Sequence, residues 1–235
     1  MTTIFSQSVV IYAYIIRCIL IWIATLLRFT SVTDETTWVT IAIFYMSVFN
    51  YGFVYTMAPW DSRASSIPIV QGYFGGIYTD LNAFWFNDIG AMVVSTMISN
   101  AIYPLIEFFG YWALRYAYRA WDQRSFCASD PFRTNSKTIQ AFEEIYCGPA
   151  FAIHWKYAYI LNVVFMAMLF GPGLPVLFPI GLMSLIILYI IERLMVAYSY
   201  QKPPMFDSTA NRTTIAFLYA MPIIYTISGA WIYSN

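Results

Sequence analysis

Six long apolar segments recur along the chain and are separated by shorter polar connections. They cover Ile4–Leu27, Thr37–Met57, Phe86–Leu114, Ala150–Phe170, Leu174–Tyr198 and Thr213–Tyr233. Each has about 20 residues or more, which lets a helix cross about 30 Å of hydrocarbon. The run from Leu185 to Tyr189 does not alternate polar and apolar residues, as a barrel strand would. The pattern therefore predicts an all-α, polytopic transmembrane bundle of about six spanning helices.

The composition agrees with a chain that lies in a bilayer. Hydrophobic residues make up 60% and charged residues 10% of the 235 positions, against about 45–50% and about 25% in soluble domains. A soluble domain of this size has too little interior to bury so much apolar surface. We find no internal repeat or composition shift, so residues 1–235 are expected to form a single transmembrane domain.

Basic residues are concentrated on one predicted face of the membrane. With six spans, the connections 28–36, 115–149 and 201–212 share that face. The connections on the opposite face contain a single basic residue, Arg63. The basic residues of the shared face are Arg28, Arg115, Arg119, Arg124, Arg133, Lys137, Lys202 and Arg212. The positive-inside rule places these connections in the cytoplasm. Both termini then face outward, and because no signal peptide precedes the first span, the chain is expected to be part of a longer protein.

Charged residues also occur within the predicted spans. Arg17 lies about ten residues from the cytoplasmic end of its helix, or about 15 Å deep. The free energy of inserting a lone arginine at that depth is unfavourable by at least about 2.5–3.5 kcal/mol, so we expect Arg17 to face the bundle. Glu107 and Glu192 lie in the cytoplasmic halves of their helices, within reach of its side chain. Two interpretations follow: a buried ion pair that fixes packing, or the wall of a polar conduit.

Three asparagines, Asn50, Asn100 and Asn162, fall inside three different spans. Such residues form hydrogen bonds between membrane helices, worth about 0.6 kcal/mol on average, or they line a polar path. Pro104 removes a backbone hydrogen bond and is expected to kink its helix. Pro175 is expected in the first turn of its helix, where proline is tolerated.

Several chemistries are not expected. His154 is the sole histidine, so a bis-histidine haem cannot form within one chain and a histidine-rich metal centre is not predicted. The chain has no GxSxG nucleophile sequence and no Walker A sequence. Its three cysteines have no CxxC spacing. An enzyme, a cofactor, a metal site and a nucleic-acid partner are therefore not predicted.

Three stretches carry markers of a known channel superfamily. Leu174-Pro175 through Glu192 to Lys202-Pro203 opens with a proline and ends at a basic segment. Thr33-Asp34-Glu35-Thr36 forms an acidic link between two apolar segments. Ser99-Asn100 lies in a long helix with a basic cytoplasmic extension. In order and markers these stretches resemble the pore-side helices of anoctamins, OSCA mechanosensitive channels and transmembrane channel-like proteins.

The departures from the anoctamin pattern concern calcium. Calcium-activated anoctamins carry paired glutamates where this chain has His154-Trp155-Lys156-Tyr157, and Leu188 stands one turn before Glu192. Glu192 and Glu107 alone do not make the oxygen-rich cage that calcium favours. The resemblance thus implies a pore module without the anoctamin calcium switch. It points to the OSCA and channel-like branches, which include mechanically gated cation channels, and it implies a homodimer.

The resemblance therefore implies the pore-side module of a cation channel that is mechanically gated, with ions and membrane lipids as its partners. The candidate wall residues are Arg17, Asn50, Asn100, Glu107, Asn162 and Glu192. The candidate hinge residues are Pro104, Gly171, Gly173 and Pro175. Two alternatives use the same polar residues: a lipid scramblase with a groove open to the bilayer, and a structural membrane subunit whose polar residues hold helices together.

Overall fold

The computed structural model describes residues 15–16, 18–20, 22–27, 29, 31–57, 59, 61, 77–78, 82–123, 134–202 and 207–234. In this part of the chain the helices are α1 (Cys18–Leu27), α2 (Val32–Val54), α3 (Ala83–Gln123), α4 (Ile139–Tyr146), α5 (Ile153–Phe170), α6 (Leu177–Tyr198) and α7 (Thr209–Tyr233). Five of them, α2, α3, α5, α6 and α7, are long and apolar enough to cross a membrane. The prediction of an all-α polytopic bundle is thus confirmed, whereas most of the first predicted span lies outside the described residues.

Polar residues at the helix starts explain why α2 and α7 begin earlier than predicted. The Ser31 hydroxyl accepts a hydrogen bond from the backbone N–H of Thr33 at 3.2 Å, so α2 begins at Val32. Asp207 accepts hydrogen bonds from the Thr209 hydroxyl at 2.6 Å and the Ser208 N–H at 2.7 Å, next to the start of α7. These two hydrogen bonds lower the pKa of the Asp207 carboxyl below its ordinary value.

The helix α3 ends at Gln123 rather than at Leu114. The added stretch lacks proline and is rich in alanine, arginine and tyrosine, so nothing in it stops a helix. With 41 residues, α3 is about 60 Å long, roughly twice the hydrocarbon thickness. The start of the predicted polar connection 115–149 is therefore helical.

The chain divides into two compact units. The first unit comprises Met1–Ala101, Ile153–Leu185 and Phe206–Asn235, and the second comprises Ile102–Ala152 and Ile186–Met205. In the first unit α5 is the most buried of the spanning helices. The Phe44 ring of α2 packs edge-on against Phe165 of α5, with ring centres 6.0 Å apart. It also packs at a tilt against Phe217 of α7, with ring centres 4.9 Å apart. These contacts make α5 the core helix of the first unit.

A close turn joins α5 to α6 in the first unit. Gly171 N–H donates to the Ala167 carbonyl at 2.9 Å, and Leu174 N–H donates to the Phe170 carbonyl at 2.8 Å. A Cβ on Gly173 would lie 2.5 Å from the Phe86 ring. Pro175 precedes α6 within this turn instead of lying in its first helical turn. The turn needs glycine for lack of space, and the hinge roles of its residues stay predictions.

Alanine at Gly171 is expected to lower the free energy of unfolding by about 1–3 kcal/mol. The new Cβ would overlap the Ala167 carbonyl oxygen and lie 2.6 Å from the Phe178 ring. Chemical unfolding in detergent measures the change. Gly110→Ala is the control, because a Cβ at Gly110 meets no atom within 4 Å and alanine is the better helix former. Equal stability of the two variants would contradict the prediction.

Candidate functional site

Three asparagines are buried in the first unit, on three different helices. Asn50 on α2 and Asn100 on α3 are each 7% exposed, and Asn162 on α5 is 1% exposed. Among the residues that the structure describes, the Nδ2 atom of each is buried without a hydrogen-bond partner. We refer to Asn50, Asn100 and Asn162 as the asparagine layer. All three were predicted as wall residues, and the structure places all three inside the same unit.

Asn162 is the most deeply buried member of the asparagine layer. It is the tenth of the 18 residues of α5, so it lies near the middle of that span. Within the described ranges both its Nδ2 and its Oδ1 lack a hydrogen-bond partner, while its neighbours Leu161 and Val163 are fully buried apolar residues. A polar amide with neither its donor nor its acceptor satisfied therefore lies at the centre of the core helix.

Asn100 is tied to α5 through its backbone. In an α-helix the carbonyl of Asn100 would accept from the N–H of residue 104, but Pro104 has no N–H. The Tyr159 hydroxyl of α5 donates to this carbonyl instead, at 2.8 Å. Because Tyr159 is three residues before Asn162, both side chains lie on neighbouring positions of one helix face. The bond therefore sets Asn100 beside the α5 face that carries Asn162.

Asn50 lies in a π-helical stretch, Val48–Val54, within α2. Such stretches are rare, and in other proteins they are often found at functional sites. A Cβ on Gly52 would lie 3.4 Å from the Phe165 ring, so α2 and α5 approach closely here. Since Phe165 follows Asn162 by three residues, Asn50 and Asn162 lie at similar depths. A second π-helical stretch, Phe86–Gly90, lies in the first part of α3.

A buried hydrogen bond joins Tyr55, the residue directly after α2, to Thr96 of α3. The Tyr55 and Thr96 hydroxyls are 2.9 Å apart, and both residues are buried. Thr96 lies one turn before Asn100 on α3, on the same helix face. Sequence reasoning missed Tyr55, Thr96 and Tyr159. A signal was available for Tyr159, because Pro104 leaves the carbonyl four residues before it without its helical donor.

The other predicted wall residues lie elsewhere. Glu107 and Glu192 belong to the second unit, where each is half-buried. Arg17 lies outside the described residues, so its predicted pairing stays a prediction. Within the described ranges no group of three or more histidine, cysteine, aspartate or glutamate side chains is placed to hold a metal ion. The asparagine layer is thus the polar site that the first unit builds.

The five spanning helices make this chain a multi-pass integral membrane protein. Its first unit buries a layer of amide side chains at membrane depth. No protein-family model, curated protein or solved structure matches the chain.

Proposed function

We propose that this chain is the pore module of an ion channel, in which cations cross the first unit along the asparagine layer. The observation that carries the proposal is Asn162, an amide that is 1% exposed at the centre of a spanning helix and has no hydrogen-bond partner in the described part of the chain. A conduit supplies what this amide lacks, because a permeating cation or water contacts its Oδ1 and water accepts hydrogen bonds from its Nδ2.

The energetic argument concerns the cost of an unsatisfied amide. A buried polar group without a hydrogen bond costs about 1–3 kcal/mol, whereas an apolar side chain of the same shape avoids the cost. The asparagine layer has unsatisfied groups on three helices. If these residues only held helices together, they would be expected to bond with one another. Their unused hydrogen-bonding capacity favours a role toward something that enters the site.

The chemistry of the layer suits a cation. Amide, hydroxyl and backbone carbonyl oxygens are neutral hard ligands that replace part of a cation's hydration shell. Such oxygens lie at two heights along α3. Asn100, beside the α5 face that carries Asn162, marks one height, and the Tyr55–Thr96 hydroxyl pair marks the other, one helical turn away. The resemblance to the OSCA and channel-like branches adds mechanical gating, the absence of an anoctamin calcium switch and a homodimer to the proposal. The basic connections are proposed to face the cytoplasm.

Burial favours ion conduction over lipid scrambling. A scramblase needs a polar groove open to the bilayer so that headgroups slide along it while their tails stay in the lipid. The three asparagines are only 1–7% exposed, so their amide groups are enclosed by neighbouring helices. An enclosed layer suits a small solute such as a cation.

The experiment is a current recording from the purified protein in a planar bilayer, with membrane tension applied and calcium varied. A fluorescent-lipid scrambling assay is run on the same preparation. We expect tension-gated cation current without scrambling, and current that does not require calcium. Scrambling without current would replace the proposal with the scramblase alternative, and silence in both assays would favour the structural subunit.

A further inference from the structure

We infer that the second unit binds a phosphate group in a pocket beside Arg115. This goes beyond the proposed function, because it concerns another unit and another ligand. The pocket has a volume of about 360 Å³, within the range of small-molecule sites. Its lining residues are Tyr111, Leu114, Arg115, Tyr118, Ile145, Cys147, Gly148, Pro149 and Ser199. They come from α3, from the end of α4 with the link that follows, and from the residue after α6.

Close backbone contacts build the wall of the pocket that contains Gly148. A Cβ on Gly148 would overlap the carbonyl oxygen of Ser199, so the two backbones are in direct contact. The N–H of Gln201 donates to the carbonyl of Pro149 at 3.2 Å. The Phe151 and Tyr200 rings pack edge-on at 5.2 Å next to this contact. The pocket is therefore formed by paired segments rather than by loose side chains.

Two arginines concentrate positive charge at the pocket. Arg115 Nη2 and Arg119 Nη2 donate to the same oxygen, the Tyr146 carbonyl, at 3.0 and 3.1 Å. The two Nη2 atoms thus lie within about 6 Å of each other, where like charges repel. A backbone carbonyl accepts hydrogen bonds but carries no net charge, so this repulsion is not cancelled by it. An anion in the pocket would cancel it.

Unused donors of the same arginines point to an oxygen-rich ligand. Among the residues that the structure describes, the buried Nε atoms of Arg115 and Arg119 have no hydrogen-bond partner. Arg115 Nη1 donates to the Ser199 carbonyl at 3.5 Å. The planar guanidinium group offers parallel N–H donors that match phosphate oxygens in a two-point contact. Arg115 lines the pocket, and its Nη1 and Nη2 atoms each carry a second N–H besides the one directed at a backbone carbonyl. Arg119 adds positive charge next to Arg115.

A network around Asp122 holds the shared carbonyl in place. Asp122 is 5% exposed and accepts hydrogen bonds from the Thr134 hydroxyl at 2.8 Å and the Asn135 N–H at 3.0 Å. It also accepts from the Tyr146 hydroxyl at 3.3 Å. The Arg119 guanidinium carbon lies 5.4 Å from the centre of the Tyr146 ring. Asp122 is therefore a positioning residue for Tyr146 and, through it, for both arginines.

The position of the pocket suits a phosphate that belongs to a lipid. It opens beside the last turns of α3, a helix about twice as long as the hydrocarbon is thick, and its walls include the exposed Tyr118 and Leu114 side chains. Tyrosines are typical of the membrane–water interface, where lipid phosphates lie. A soluble phosphate ester presents the same chemistry to Arg115. The shared ligand is a phosphate group, and experiment distinguishes its two sources.

The test measures binding of fluorescent phosphatidic acid to the full chain in phosphatidylcholine nanodiscs. We expect Arg115→Gln to weaken binding at least about tenfold, since it removes the charge and the two-point contact. Arg193→Gln is the matched control, because Arg193 is exposed in the same unit, and it should bind like the unchanged protein. Competition with glycerol 3-phosphate separates the sources: displacement assigns the site to soluble phosphate esters, and no displacement assigns it to lipid headgroups.

A chemical block keeps the test valid if Arg115→Gln misfolds. Cys147 is exposed and lines the pocket. In a background with Cys18→Ser and Cys127→Ser, a bulky maleimide is attached to Cys147 of the folded protein. We expect labelling to weaken phosphatidic acid binding, and bound lipid to slow labelling. Binding unchanged by Arg115→Gln and by the label, or no binding of either phosphate probe to the unchanged protein, would overturn the proposal.

Discussion

Leucine at Asn162 is expected to reduce the current at least about tenfold while the protein folds as well as before or better. The amide has no hydrogen-bond partner among the described residues, so leucine breaks none of the bonds that the structure shows and removes an unsatisfied polar group from the core. A permeating cation loses one solvating contact, and each 1.4 kcal/mol added to its barrier lowers the rate about tenfold. Current recordings and unfolding in detergent measure the two effects on one preparation.

Ser184→Ala is the matched control for this prediction. Ser184 is also fully buried in the first unit, but its hydroxyl donates to the Ile180 carbonyl of its own helix at 2.8 Å. Its removal should leave the current unchanged. If Asn162→Leu instead lowers the free energy of unfolding and leaves the current intact, Asn162 holds helices together and the structural alternative applies.

Phenylalanine at Tyr159 is expected to lower the free energy of unfolding by about 1–2 kcal/mol. The Tyr159 hydroxyl is the donor to the Asn100 carbonyl, at 2.8 Å, and phenylalanine leaves that carbonyl without it. In the background of Pro104→Ala, Tyr159→Phe should lower the free energy of unfolding by less than about 0.5 kcal/mol. Alanine restores a backbone N–H at position 104, which satisfies the same carbonyl within the helix.

A double-mutant cycle of Tyr159→Phe and Pro104→Ala measures this coupling by unfolding in detergent. Tyr219→Phe serves as the control, because Tyr219 is 78% exposed on α7 and should have little effect in either background. If Tyr159→Phe lowered the free energy of unfolding equally with and without Pro104, the tyrosine hydroxyl would not be replacing the backbone hydrogen bond that the proline removes.

The spanning helices were predictable because their signal is local. Length and continuous apolarity mark each span, so the ranges from 150 to 233 were placed to within a few residues. Helix ends were less predictable where capping decides them, as at Ser31. The end of α3 was predicted nine residues early because basic residues were taken to mark a connection, although they are good helix formers.

The candidate site was predictable in its residue types and not in its geometry. Asn50, Asn100 and Asn162 stand out because amides are expensive in a membrane, and the structure buries all three. Their role as wall residues stays a prediction. The π-helical stretch around Asn50 has no sequence signature of its own. The Tyr159 hydrogen bond depends on how α5 packs against α3, which a single sequence does not encode in any local pattern.

Accessibility of position 162 to water tests most directly whether cations cross the first unit along the asparagine layer. In a background with Cys18, Cys127 and Cys147 replaced by serine, Asn162→Cys is exposed to a charged, membrane-impermeant thiol reagent in the presence of membrane tension. We predict that Asn162→Cys reacts, while Leu161→Cys, at a fully buried apolar position next to it, does not. Failure of Asn162→Cys to react in a protein that conducts current would contradict a path along the asparagine layer.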